Sequence, residues 1–262
     1  MNGFLSTLPP VIQALCLTLM TWGVTALGAG SVFFFSNVSS RLLNMLTGFG
    51  AGVMIASSFW SLLLPALANE TTLSVILVCV GFSLGAVFIL LADKLFDLFG
   101  FEQRFGQLAS SRRRSLMLIL AVTVHNIPEG LAVGVAVGSA ALGHDSDAFL
   151  GAVALAVGIA LQNFPEGASV ALPLRREGMG LWRCFFYGQL SGVPEPIAGV
   201  AGVILALWIG PALPLFLAFA AGAMIAVVTS ELIPACAAES KGVAVVGVTA
   251  GFLVMMALDV LC

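Results

Sequence analysis

The sequence predicts an all-α, polytopic membrane protein of eight transmembrane helices, and three observations predict it. Hydrophobic residues make up 60% of the chain and charged residues only 9%, against about 25% charged in soluble domains. Eight apolar stretches reach the roughly 20 residues that a helix needs to cross a bilayer. All ten Lys and Arg residues fall at alternate connections between those stretches. Glycine is abundant, at 29, as expected where transmembrane helices pack closely. Little chain remains for loops, so 1–262 reads as a single transmembrane domain. Met1 to Pro10 holds no basic residue, so no signal peptide is read there. Cys16, Cys79, Cys184, Cys236 and Cys262 are scattered with no CxxC spacing, which argues against a disulfide framework or a thiolate cluster.

Span one covers roughly 9–35 and span two roughly 43–67. Span two holds Gly52-Val53-Met54-Ile55-Ala56, then Pro65, with Glu70 beyond it. Span three, 72–98, ends among Asp93, Lys94 and Asp97, expected at the interface. The connection from Phe99 to Ser115 is the longest and carries Arg112-Arg113-Arg114, read as a topology anchor. Span four, 116–141, and span five, 148–174, each contain a polar hexapeptide: His125-Asn126-Ile127-Pro128-Glu129-Gly130 and Gln162-Asn163-Phe164-Pro165-Glu166-Gly167. Between them, Gly143 to Asp147 reads as an exposed turn that caps span five. A weaker reading makes His144 and Asp145 a cation-collecting site at the mouth of the transport pathway. Span six, 181–209, holds Pro194-Glu195-Pro196. Span seven, 212–236, holds Gly222-Ala223-Met224-Ile225-Ala226, Ser230-Glu231 and Pro234, with Glu239 beyond it. Span eight, 242–261, ends near Asp259, which is expected to be solvated.

The basic residues, Arg41, Lys94, Arg104, Arg112, Arg113, Arg114, Arg175, Arg176, Arg183 and Lys241, follow spans one, three, five and seven. The opposite connections hold Glu70, His144, Asp145 and Asp147 instead. Basic residues stay cytoplasmic, so both termini are expected outside. Spans two and seven then share a pattern while running in opposite directions. That suggests inverted repeats, roughly 9–98 and 181–261, around central helices at 116–174. Such repeats put substrate sites near the midplane on broken helices.

The two hexapeptides carry the chemistry. An ionisable group at membrane depth is a functional-site candidate by default. Residues four apart share a helix face, so His125 and Glu129 point one way, as do Gln162 and Glu166. Asn126 and Asn163 lie about 100° round and reach the edge of the same cavity. Each proline frees the carbonyl four residues before it, Val124 or Leu161. Glu195 and Glu231 bring the glutamates in spans four to seven to four, with no Lys or Arg at that depth. They are either protonated or gathered round a cation. Carboxylates, one imidazole and amide oxygens suit a borderline divalent metal. Met54 and Met224 read as packing residues.

At these residues the chain resembles the ZIP (Zrt/Irt-like protein) family of divalent metal transporters, most closely its bacterial GufA-type branch. The resemblance implies a 3+2+3 bundle with a binuclear site between spans four, five and six. His125, Glu129, Gln162 and Glu166 would hold one metal; Asn126, Glu129, Asn163, Glu166 and Glu195 would hold the other. Met54, Ser230 and Glu231 would line the pathway. It further implies transport of Zn²⁺, with Fe²⁺, Mn²⁺, Cd²⁺ and Co²⁺ as further substrates, into the cytoplasm across the cell (inner) membrane. A homodimer in the lipid bilayer, no catalytic cofactor and no nucleic-acid partner are expected. An elevator motion, spans one, four, five and six sliding against the rest, is implied too. Many relatives have histidine where this chain has Gln162, and some have aspartate where it has Asn163, so this ligand set is the weaker one. Two other classes compete. An intramembrane zinc-dependent hydrolase would need more than the two His present, and no HExxH occurs. A carrier or channel for a non-metal solute would use the glutamates as titrating groups.

Overall fold

Proline and glycine decide where the helices of this chain begin, break and touch. The structure, a computed structural model, describes residues 5–35, 39–68, 71–98, 110–143, 146–176, 178–209, 212–238 and 240–261. Among them there are helices and turns and no strand. Span one is α1 (Pro10–Gly30), started by a proline whose missing N–H costs nothing at a helix start. Span two is α2 (Ser40–Ser57), a π-helical turn (Ser58–Leu63) and α3 (Leu64–Leu67). The Ser39 hydroxyl caps α2 by accepting from the Leu42 N–H at 3.3 Å. Span three is α4 (Thr72–Leu98), span four α5 (Ser110–Gly143) and span five α6 (Ser146–Arg176). Gly178, at φ +86°, ends the last of these in the left-handed conformation open to glycine. Span six is broken into α7 (Leu181–Leu190) and α8 (Pro194–Trp208), and span seven into α9 (Leu213–Val227), a π-helical turn (Val228–Leu232) and α10 (Ile233–Ala237). Span eight is α11 (Lys241–Leu261).

Seven of these spans are long and apolar enough to cross a membrane, and α5 is an eighth long helix. The chain is an all-α, multi-pass membrane protein. Three expectations need correction. The Arg112–Arg114 run lies within the first turn of α5 rather than in a connection. Span six is not one helix: Pro194 and Pro196 remove two donors, and a turn at Ser191–Val193 takes up the break. Asp259 is half-buried and accepts a 2.6 Å hydrogen bond from the Ser61 hydroxyl instead of facing solvent. Glu70, Glu239 and the segment 99–109 lie outside the described residues, as do the side chains of Asp93, Asp97 and Arg112–Arg114.

The closest pairs are α5 with α8, α2 with α11, α4 with α9 and α1 with α6. Glycines let their backbones touch. Gly52 of α2 lies on the Val248 carbonyl of α11, and Gly222 of α9 lies on the Phe82 carbonyl of α4; a Cβ at either would overlap the oxygen. Gly251 on Phe49 has its counterpart in Gly85 on Phe219, and Gly247 on Met45 in Gly81 on Leu215. Met45, Phe49 and Gly52 map onto Leu215, Phe219 and Gly222 with one constant shift of 170 residues. Gly81, Phe82 and Gly85 map onto Gly247, Val248 and Gly251 with a constant shift of 166. In the centre, Gly130 of α5 rests on the Glu195 carbonyl, and Gly167 of α6 on the Thr25 carbonyl of α1.

Candidate metal site

Each hexapeptide sits in the middle of an unbroken helix, with Pro128 inside α5 and Pro165 inside α6. Asn126, Asn163 and Glu195 are fully buried, and Glu129 and Gln162 nearly so. Glu195 occupies the first turn of α8, where unpaired helix N–H groups favour a carboxylate. The break before it is held by α1: the Trp22 indole N–H donates to the Gln189 carbonyl at 2.9 Å.

The polar side chains cross between helices. Gln162 of α6 donates its amide N–H to Glu129 of α5. Asn126 of α5 donates to Glu166 of α6 at 2.8 Å. Asn163 of α6 donates to Glu195 of α8 at 2.9 Å. Asn126 also donates to the Val122 carbonyl at 2.8 Å, and Asn163 to the Thr21 carbonyl at 3.2 Å. The three carboxylates are near enough to feel one another's charge.

Every amide thus spends its N–H on a carboxylate, and oxygen is left over. The buried side-chain atoms without a hydrogen-bond partner among the described residues are Asn126 Oδ1, Glu129 Oε2, Gln162 Oε1, Asn163 Oδ1, Glu195 Oε1, Ser31 Oγ and Asp259 Oδ2. Five of the seven belong to the predicted ligand set, and those five are oxygens. Buried polar atoms are rarely left unpaired. A cluster of such oxygens without a donor suits a cation; carboxylate and amide oxygens are hard ligands. No three His, Cys, Asp or Glu among the described residues converge on one point. Among the described side chains, such a cation would therefore draw on the amides as well as the carboxylates.

A cavity of about 280 Å³ reaches this cluster. Glu129, Gln162, Glu166 and Met54 are in its wall, together with Asn44, Thr47 and Ser169 and with Glu231 of the second π-turn. It runs from the cluster towards the N-terminal half of α2 and Ala235, the end of the bundle where Arg41, Arg175 and Lys241 lie. Towards the other end, Leu62, Val133, Val137, Leu155, Ile159, Leu217 and Met255 pack without exposure above a few per cent. Asn126, Asn163 and Glu195 do not line the cavity. They lie behind it rather than at its edge.

Of the other predicted residues, Met224 is in the core. Ser230 is exposed and donates to its own helix at Ala226, 2.8 Å away, while its neighbour Glu231 faces the cavity. The side chain of His125, and His144 and Asp145 entirely, lie outside the described residues. Sequence reasoning missed Asn44, Thr47 and Ser169 in the wall, and the α1 stripe of Thr18, Thr21 and Thr25 that faces the site, all three fully buried. Their spacing, three or four apart in an apolar helix, was the available signal.

Residues 101–259 match the family described as ZIP Zinc transporter. Zinc transporter ZIP11 of Xenopus tropicalis is 40% identical over 96% of this chain and 97% of its own. Zinc transporter ZIPB of Bordetella bronchiseptica is 34% identical over 91% of this chain and 77% of its own, and zinc transporter GufA of Myxococcus xanthus 32% identical over 94% and 97%.

Proposed function

This chain belongs to the ZIP zinc transporter family, and from that premise we propose that it carries divalent metal ions, Zn²⁺ first among them, across the cell (inner) membrane into the cytoplasm. One observation carries the reading: five buried oxygens, without a partner among the described residues, belong to the two hexapeptides and Glu195. Oxygens in that state at membrane depth need a positive charge, and a mobile divalent ion supplies it. The relatives' own names support zinc as the substrate; Fe²⁺, Mn²⁺, Cd²⁺ and Co²⁺ remain substrates to be tested beside it.

The orientation rests on charge, and the inward direction on the family resemblance. The cavity opens towards the end bearing Arg41, Arg175 and Lys241. By the positive-inside rule that end is cytoplasmic and both termini are outside. The cavity-side position of the metal would be held by Glu129, Gln162 and Glu166, with His125 four residues from Glu129. Asn126, Asn163 and Glu195 would complete a second, deeper position of a binuclear site. Spans one to three and six to eight would form inverted repeats, a reading supported by the constant shifts of 170 and 166 residues that map spans two and three onto seven and eight in the glycine contacts. Met54 and Glu231, both in the cavity wall, would line the pathway, with Ser230 next to Glu231 in the chain; His144 and Asp145 would serve at most as a weak entry site that collects cations.

The test is Zn²⁺ uptake into proteoliposomes by the wild type, Glu129→Ala and Glu166→Ala. Each substitution is expected to cut uptake about tenfold or more, as loss of metal-shell groups does elsewhere. Undiminished uptake in both variants would sink the site assignment.

A further inference from the structure

The amides of this site have a second face that the metal does not need. Asn126 Nδ2 donates at once to the Val122 carbonyl and to Glu166. Asn163 Nδ2 donates at once to the Thr21 carbonyl and to Glu195. Turning either amide over would set its oxygen against two acceptors, so the nitrogen must face the carboxylate and the oxygen must face away. Gln162 Nε2 donates to Glu129. One amide donor meets each of the three carboxylates, and each such pair joins two different helices. The amide oxygens stay free for an ion.

We propose that Asn126, Gln162 and Asn163 serve the ion-free carrier: each N–H group holds one oxygen of one of the three carboxylates, which lowers the cost of carrying the unloaded site across the membrane. This rests on the transport reading above. A carrier that releases its ion must return empty, and an uncompensated carboxylate at membrane depth is costly. Among the described residues no Lys or Arg stands near the site to compensate it; those described lie towards the helix ends. The amides are positioned donors that fill that role without competing for the ion's own coordination sites. An aspartate at the same position would still offer oxygen to a metal, yet it would bring a second acceptor where the empty state needs a donor. The amide N–H groups therefore set the rate of the empty return, while the carboxylate and amide oxygens set the affinity.

The experiment separates the two half-cycles. In proteoliposomes, Zn²⁺ exchange is measured with Zn²⁺ on both sides, where the carrier crosses loaded in both directions. Net uptake is measured with Zn²⁺ outside only, where it must return empty. Asn163→Asp is expected to lower the ratio of net uptake to exchange about tenfold or more, because a buried charge loses its donor. The double variant Asn163→Asp with Glu195→Gln keeps one amide and one carboxylate in the pair and is expected to restore the ratio. Asn126→Asp, with Glu166→Gln as its partner, repeats the test on the other clasp and guards against one variant that fails to fold. An unchanged ratio in both aspartate variants, or no recovery in either swapped pair, overturns the proposal. A wild type that moves Zn²⁺ in neither mode defeats the transport reading instead, and an altered ratio in a protein that does transport cannot arise from that failure.

Discussion

At the scale of the residue, the hexapeptides were legible and their partners were not. The presence of Glu129, Glu166 and Glu195 at membrane depth, and of Gln162 and Glu166 on one helix face, follows from spacing alone. That Asn126 reaches Glu166, and Asn163 reaches Glu195, depends on how three helices cross, which no local pattern encodes. Asp259 shows the same limit: its position near a helix end suggested water, but Ser61 lies 198 residues away in sequence and 2.6 Å away in space. Gln162 is the residue with the sharpest consequence. Its oxygen is a weaker zinc ligand than an imidazole nitrogen. Gln162→His is expected to tighten Zn²⁺ binding about tenfold, measured by calorimetry on the purified protein. Unchanged or weaker affinity would remove Gln162 from the ligand set.

At the scale of the element, the prolines were visible and the π-turns were not. Pro65 follows Met54 by 11 residues and Pro234 follows Met224 by 10. The structure gives that one-residue difference a physical form: the π-turn before Pro65 has six residues and the one before Pro234 has five. A wider turn absorbs an extra residue and the proline's clash while the helix continues, and such turns collect at functional positions. Apolar periodicity hardly changes across one wide turn, so the sequence pattern could not reveal it. Ser61 belongs to the first π-turn, and its bond to Asp259 fastens that turn to α11. Ser61→Ala is expected to lower unfolding stability by about 1–3 kcal/mol, by leaving a half-buried carboxylate oxygen unpaired. Thermal unfolding in detergent would show it as a reduced Tm, and an unaltered Tm would mean that the π-turn stands without this bond.

At the scale of the whole molecule, charge and composition yielded the span count, and the alternation of basic residues yielded the topology expected of it. Which end the cavity opens to was beyond them, because it belongs to one conformation of the bundle rather than to its connectivity. Thr47 is in the cavity wall and Val133 is in the dry half. In a cysteine-free background, Thr47→Cys is expected to react with a membrane-impermeant thiol reagent in inside-out vesicles and to be protected by Zn²⁺. Val133→Cys is expected to resist. Labelling of both, or of Thr47→Cys only in right-side-out vesicles, would reverse the assignment of the open end.

The glycine contacts sort the helices in a way that bears on motion. Wherever a glycine would drive a Cβ into a backbone carbonyl oxygen, the two helices come from the same set: α1, α5, α6 and α8, or α2, α4, α9 and α11. Between the sets, Gly158 meets the thioether tip of Met255, and Gly50 meets a side-chain atom of Gln162. Backbone seated on backbone cannot yield, whereas a methionine tip turns about its own bonds. Backbone-on-backbone seats are therefore confined within each set, and side chains fill the seam between them; the hexapeptides lie on one side of that seam, and Met54 and Glu231 on the other.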